Sequence, residues 1–303
     1  MSVGAARRPP LARRLLWSEH VAGWAFVLPS LALLGLFSLL PIAWGALLSL
    51  QSSDLVGASR FVGLDNYRAL RQDPAFRAAA EHTMVYTALF VPISVGGALL
   101  VAAALNRRVR FIRLYRTAVF VPLVTSTIAT AIVFSWLLDP QFGVVNDALD
   151  RVGVGGQGFF QDPGQALYAV VAMSVWGWLG FDVIVYLAAL QSVPQDLLDA
   201  AAIDGAGRIQ TFRRVTLPLL GPATLFLVVW STINALQLFD EVYQTTRGGP
   251  LGATTVAVYF LYDLAFRQFV AGYAAAVAYV LFAVILVLTL IQLWIGRRVH
   301  YAS

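Results

Sequence analysis

Long apolar runs alternate with short polar connectors along the chain. Residues 21–53, 82–106, 117–138, 215–239 and 268–296 contain no Asp, Glu, Lys or Arg, and residues 163–195 contain one charge, Asp182. A helix needs roughly 20 apolar residues to cross about 30 Å of hydrocarbon. Each run is long enough for one crossing and too short for two. The pattern predicts an all-α integral membrane protein with six transmembrane helices, over residues 21–50, 82–105, 117–138, 166–190, 219–242 and 271–295. Residues 21–296 then form one membrane domain, between an N-terminal segment 1–20 and a tail 297–303. Residues 248–262 are too short and too rich in Gly and Thr for a seventh span; they read as a loop with a short or re-entrant helix. Pro29 and Pro41 each remove a hydrogen bond from the first run, so a kink or break is expected there.

The connectors differ in character. Residues 59–82 mix charges around a turn-like Gly-Leu-Asp-Asn and predict a small folded cap with a short helix. Residues 139–163 are Gly-rich and acidic, and are expected to be the most mobile part of the outer face. Residues 191–222 are the most ordered polar passage. Ser192 and Gln195 have capping-box spacing, Pro194 suits a first helical turn, and 196–203 is strongly helical with a small face at Ala200, Ala201 and Ala202. Asp204-Gly205 breaks that helix, and Asp204 is placed to cap the next, 206–216. Arg208, Arg213 and Arg214 line it, and Ile209, Phe212 and Val215 recur at helical spacing as an anchor stripe. Pro218 and Pro222 end the passage.

Composition bears on class. The chain is 59% hydrophobic and 12% charged, against about a quarter charged in soluble domains, so it belongs in lipid. The absence of cysteine excludes disulfides and thiolate chemistry. All 21 basic residues are arginine, which reads as the codon bias of a GC-rich genome, and no nucleic-acid partner is expected. His20, His82 and His300 lack metal-ligand spacing. Arg7, Arg8, Arg13 and Arg14 precede an apolar run much longer than a signal-peptide core, so the first span is expected to remain uncleaved. With both termini inside, cytoplasmic segments hold 14 arginines and outer segments seven, the orientation favoured by the positive-inside rule.

The passage Asp199-Ala200-Ala201-x-x-Asp204-Gly205-Ala206, with Phe212, Val215, Leu217, Pro218 and Pro222 at fixed spacing, resembles the EAA loop of ABC-importer membrane subunits. The motif's leading Glu is Asp199 here, one methylene shorter. LPS…LLPIAWGALLSL, FVGLDNY and TTRGGPLGATTVAVYFLYDLAF resemble the sugar and glycerol-3-phosphate branch of binding-protein-dependent permeases, and the glycerol-3-phosphate type most. The resemblance implies a type I importer permease in a bacterial inner membrane. It implies a second homologous permease, two ATPase subunits and an extracytoplasmic binding protein as partners. It implies that Asp199, Ala200, Ala201, Asp204, Gly205, Ala206, Arg208, Phe212 and Pro218 face the ATPase, and that Gly248, Gly249 and Pro250 lie near the docked binding protein. No Walker motif occurs, so this chain holds no cofactor, catalyses nothing itself, and ATP with Mg belongs to the partner ATPases. The expected cargo is sn-glycerol 3-phosphate or a glycerophosphodiester, the alternative a sugar or oligosaccharide.

Polar residues within spans are functional candidates. Asp182 has Trp178 and Tyr186 four residues to either side. Asn234, Gln237 and Glu241 fall at i, i+3 and i+7. Trp178, Asp182, Asn234, Gln237 and Glu241 are therefore expected to face a cavity shared with the partner permease; the bland alternative is helix-to-helix hydrogen bonding. An ion-coupled secondary transporter would need an inverted repeat, and none is evident. Only the importer reading gives the 191–222 helix pair a task.

Overall fold

Helices dominate the structure, a computed structural model that describes residues 19–53, 59–106 and 110–300. Helix α1 (Glu19–Leu34) continues through a π-helical turn, Gly35–Leu39, into α2 (Leu40–Ser49). The disruption expected from the prolines takes the form of this widened turn, and Gly23–Ser49 remains one span-length helix. The Leu40 N–H reaches back to the Gly35 carbonyl immediately ahead of Pro41. A five-residue hydrogen-bond step loosens the turn into which the proline ring would otherwise press.

The first connector is the folded cap that its charges suggested. Strands β1 (Gln51–Ser52) and β2 (Arg60–Phe61) pair antiparallel, and α3 (Asp65–Gln72) follows. Asn66 Nδ2 donates to the carbonyls of Ser49 at 2.8 Å and Gln51 at 2.9 Å, tying the cap to the end of α2. Helix α4 (Pro74–Leu105) starts where the Asp73 side chain accepts from the Ala75 N–H, with Pro74 at the first helical position.

The third apolar run is not one straight span. Helices α5 (Ile112–Val124) and α6 (Thr127–Leu137) meet at a bend of 105°. Pro122 removes a hydrogen bond from the last turn of α5, and Thr125 and Ser126 then take extended conformations. The loop beyond also holds structure of its own. It contains α7 (Val144–Arg151), and buried Asn146 clamps it: Nδ2 donates to the carbonyls of Asp139 and Gln157, and Oδ1 accepts from the Gln157 N–H at 2.8 Å.

Helix α8 (Ala166–Gln191) is a continuous span, and α9 (Gln195–Ile203) follows it. Next come α10 (Arg208–Thr211), a second π turn (Phe212–Thr216) and α11 (Leu217–Leu219), which meets α12 (Gly221–Leu236) at 64°. The short helices α13 (Asp240–Gln244) and α14 (Ala257–Phe266) precede the last long helix, α15 (Ala271–His300). Among the described residues four helices are long and apolar enough to cross a bilayer, and six crossings result if each bent pair counts as one.

Helix α4 packs along α8, with α12 against both α4 and α15, α5 against α8, and α2 and α14 against α15. One end is filled by Tyr86, Phe90, Leu167, Val170, Ala235, Val242, Val256 and Tyr259, the other by Val95, Ala102, Leu105, Val183, Tyr186, Leu190, Leu220 and Leu227. Lipid gives little hydrophobic drive to join helices, so small residues and polar ties carry the association. Gly180 is such a residue: a Cβ there would lie 2.6 Å from the Val119 carbonyl oxygen of α5. The second tie is polar: buried Asp182 on α8 accepts a hydrogen bond from Ser94 of α4.

Candidate functional site

A cleft of about 150 Å³ opens at the α5–α6 bend. Pro122, Leu123, Thr125, Thr127 and Thr130 line it from the bend, Met173, Ser174, Gly177 and Trp178 from α8, and Glu241 from α13. The 105° turn exposes the Thr-rich passage 125–130 to this space, where a straight span would have carried it past. Trp178 and Glu241, from different helices, both face this space. The lining therefore offers an aromatic face, hydroxyls and one carboxylate, and it contains no Arg or His.

Of the five residues expected along a path, the structure brings Trp178 and Glu241 to this cleft. Asp182 is elsewhere: it is 2% exposed and held by Ser94 inside the α4–α8 contact. Tyr186, one turn further on, is buried and donates to Thr224 Oγ1 at 3.1 Å. Trp176, on the same helix, packs against Phe134. Asn234 is half-buried and donates to the Trp230 carbonyl of its own helix at 2.8 Å. Gln237 is exposed and ends α12. The spacing of Asn234, Gln237 and Glu241 presumed one helix, whereas the chain breaks at Gln237–Phe239 and α13 carries Glu241 to the cleft that Trp178 lines. The hydroxyls of Thr125, Thr127, Thr130 and Ser174 were missed in the sequence. Their signal was a local run of Thr and Ser that hydropathy averages away.

The 191–222 passage projects from the opposite end of the bundle. Helix α9 ends in a Schellman motif: Ala206 N–H bonds the Ala201 carbonyl at 2.9 Å, Gly205 N–H bonds that of Ala202 at 3.1 Å, and Gly205 holds φ +77°. Asp204 thus closes α9 and does not cap α10, whose N-cap is Gly207 and which has no side-chain cap. The capping box at Ser192 and Gln195 is also not formed. Ser192 Oγ donates to the Ala189 carbonyl, and Gln195 Nε2 donates to Asp199 Oδ1 at 3.0 Å. Asp199, Ala200, Asp204, Gly205, Arg208 and Pro218 are exposed, while Ala201, Ala206 and Phe212 are half-buried. Of the expected anchor stripe, Phe212 and Val215 are half-buried but Ile209 is 77% exposed, because the π turn at Phe212 rotates it off their face. Ile203 at the tip is 86% exposed.

Gly248, Gly249 and Pro250 lie at the other end, in a tightly bonded loop. Thr254 Oγ1 donates to the Gly249 carbonyl at 2.8 Å and Thr255 Oγ1 to that of Gly248 at 3.1 Å. Gly248 has φ +83°, and a Cβ there would lie 2.7 Å from the Tyr259 ring. Leu251, at the loop's tip, is 95% exposed.

The sequence and the fold have known relatives. The family described as "Binding-protein-dependent transport system inner membrane component" matches residues 99–301. The chain is 38% identical over 284 residues to the lactose transport system permease protein LacF of Rhizobium radiobacter, covering 92% of this chain and 95% of that protein. It is 35% identical over 281 residues to the sn-glycerol-3-phosphate transport system permease protein UgpA of Yersinia pestis, with 92% and 95% covered. A chain of a bacterial alginate ABC transporter, solved in complex with an alginate pentasaccharide-bound periplasmic protein, superposes with TM-score 0.83 at 25% identity over 95% of this chain and 96% of that one.

Proposed function

The chain belongs to the family of binding-protein-dependent transport system inner membrane components, and from that premise we propose that it passes a neutral sugar or short oligosaccharide through an ATP-driven importer. The observation that carries the substrate class is the Trp178–Glu241 cleft. A sugar presents an apolar ring face and many hydroxyl donors. Trp178 offers the flat partner for the former, and Glu241 with the threonine hydroxyls offers acceptors for the latter. An anion would meet a carboxylate there and no cation from this chain. The relative named for lactose supports the same class.

In this reading a second permease completes the cavity, and a binding protein delivers cargo to the face carrying Gly248–Pro250. Two ATPase subunits, holding ATP and Mg, grip α9 and the Gly205 turn from the cytoplasm. Both termini lie inside. ATPase closure moves α9 as a rigid knob and rocks the bundle between outward and inward openings. A second reading, sn-glycerol 3-phosphate, rests on the relative named for that ester; it requires the partner permease to supply the phosphate-binding cation.

The test is ATP-dependent uptake by the reconstituted importer over a panel of neutral saccharides and sn-glycerol 3-phosphate. The sugar reading expects saturable saccharide uptake that falls about tenfold or more in Glu241→Gln and Trp178→Ala, a loss of about 1.4 kcal/mol each. Uptake of the phosphate ester alone, unaffected by Glu241→Gln, would refute it.

A further inference from the structure

A second hollow lies where the far end of α6 meets the turn around Phe142 and the passage after α13. It is an open groove of about 570 Å³. Trp136, Phe142 and Phe160 give it aromatic walls, Asp139, Gln161 and Thr245 give it polar ones, and the lining contains no Lys, Arg or His. Trp136 and Phe142 are each 67% exposed. A closely specified turn holds Phe142 in place. Asp139 Oδ1 accepts from the Gln141 N–H at 2.8 Å and the Phe142 N–H at 3.2 Å. The Gly143 N–H and buried Asn146 Nδ2 both donate to the Asp139 carbonyl, and a Cβ on Gly143 would lie 2.5 Å from that oxygen. Hydrogen bonds and a required glycine thus fix an apolar ring in the open, where it gains nothing for the fold. The groove shares its walls with the cleft at the α5–α6 bend. On α6, Thr130 lines the cleft and Ser135 the groove; from α13 onward, Glu241 lines the cleft and Thr245 the groove. These separations amount to about 6–8 Å of helix rise.

We propose that this groove is a second saccharide subsite, which holds the trailing units of an oligosaccharide whose leading unit lies against Trp178; the proposal rests on the sugar reading of the cleft. Fixed aromatic rings beside a few polar groups suit the apolar faces and hydroxyls of sugar rings, and their prior fixation lowers the cost of binding. Asp139 Oδ1 is committed to the turn, so Oδ2 is left to accept from a sugar hydroxyl, and the Gln161 amide both donates and accepts. A lipid tail is the poorer occupant, because it would set Asp139 and Gln161 against hydrocarbon without partners. The groove therefore confers a length preference: a chain that reaches it gains contacts that a single sugar does not. Gly249 and Pro250 complete the lining, which puts the subsite at the end where this reading has cargo arrive.

The test places Gln161→Cys in this otherwise cysteine-free chain and uses the importer with its partner subunits in nanodiscs, without binding protein. Labelling of this chain by a methanethiosulfonate reagent is timed with lactose, maltotetraose or cellotetraose, and uptake of the same three sugars is measured separately. A tetrasaccharide that is taken up should slow labelling about threefold at twice its dissociation constant, as simple occupancy requires, and lactose should slow it much less. Trp136→Ala and Phe142→Ala should each remove the protection. Val152→Cys, 74% exposed and outside the groove, should label at one rate throughout. Unslowed labelling by a tetrasaccharide that the importer takes up would overturn the subsite and leave the sugar reading standing. So would uptake of lactose without either tetrasaccharide, or protection that survives both alanine substitutions. Protection by added binding protein and by no saccharide would give the groove to the docked protein and overturn the subsite as well. Uptake of sn-glycerol 3-phosphate and of no sugar would overturn both readings.

Discussion

Ser94 Oγ donates a 2.6 Å hydrogen bond to Asp182 Oδ2, joining α4 to α8 inside the bundle. The carboxylate that sequence reasoning set beside a transport path is thereby engaged between two helices. Its consequences are for assembly first.

Ser94→Ala removes the donor and leaves Asp182 buried without it. The variant should be less stable by about 1–2 kcal/mol, the scale of strong interhelical hydrogen bonds in membranes. Asp182→Asn keeps an acceptor for the Ser94 hydroxyl and should lose less. Thermal inactivation of the purified protein, followed by size-exclusion chromatography, ranks the two; a Ser94→Ala variant as stable as the native protein would show the bond to be dispensable.

Gly180 should tolerate no side chain. A methyl group there would lie 2.6 Å from the Val119 carbonyl oxygen, so Gly180→Ala must push α5 away from α8 at a cost of about 1–3 kcal/mol. Gly96→Ala is the control, since its Cβ would meet nothing within 4 Å. The pair should separate clearly in the same thermal assay, with Gly96→Ala unchanged.

Gly248→Ala should disturb the 248–255 loop and the Tyr259 ring beneath it, leaving the long helices in place. Its φ of +83° and the Tyr259 ring 2.7 Å from the added carbon both oppose a side chain. Expression and assembly should stay near native, while stimulation of ATP hydrolysis by the loaded binding protein falls severalfold. Undiminished stimulation would separate this loop from docking.

The two proline-associated π turns show what the sequence made legible and what it did not. Apolar runs located the long helices because span length is a property of composition alone. Prolines at 29 and 41 signalled a disturbance, but the pattern could not show that Gly35–Leu39 would absorb it as a widened turn. The same device recurs at Phe212–Thr216 ahead of Pro218, with the Leu217 N–H reaching the Phe212 carbonyl. Pro122 carried an equal signal within an apolar run, yet the 105° bend depends on the extended Thr125 and Ser126 that follow, which hydropathy cannot register. That bend exposes Thr125, Thr127 and Thr130 to the cleft. The Asp-Gly turn at 204–205 was legible because glycine alone adopts positive φ without strain. The role of Asp204 was not, since N-cap and C-cap positions differ only by where the next helix starts. Glu241 and Trp178 come together through a break at Gln237–Phe239 that periodicity treated as continuous helix.

The proposed grip of a nucleotide-hydrolysing subunit on α9 and its Gly205 turn is open to a direct measurement. The chain has no cysteine, so a single thiol can be placed at will. Ala202 is exposed near the end of α9, and Leu251 is exposed on the loop at the opposite end. In the assembled importer, Ala202→Cys treated with a short bifunctional maleimide should cross-link to an ATPase subunit, and Leu251→Cys should not. Cross-linking of the ATPase through Leu251→Cys, or its absence at Ala202→Cys in an importer that still hydrolyses ATP, would rule out α9 as the contact.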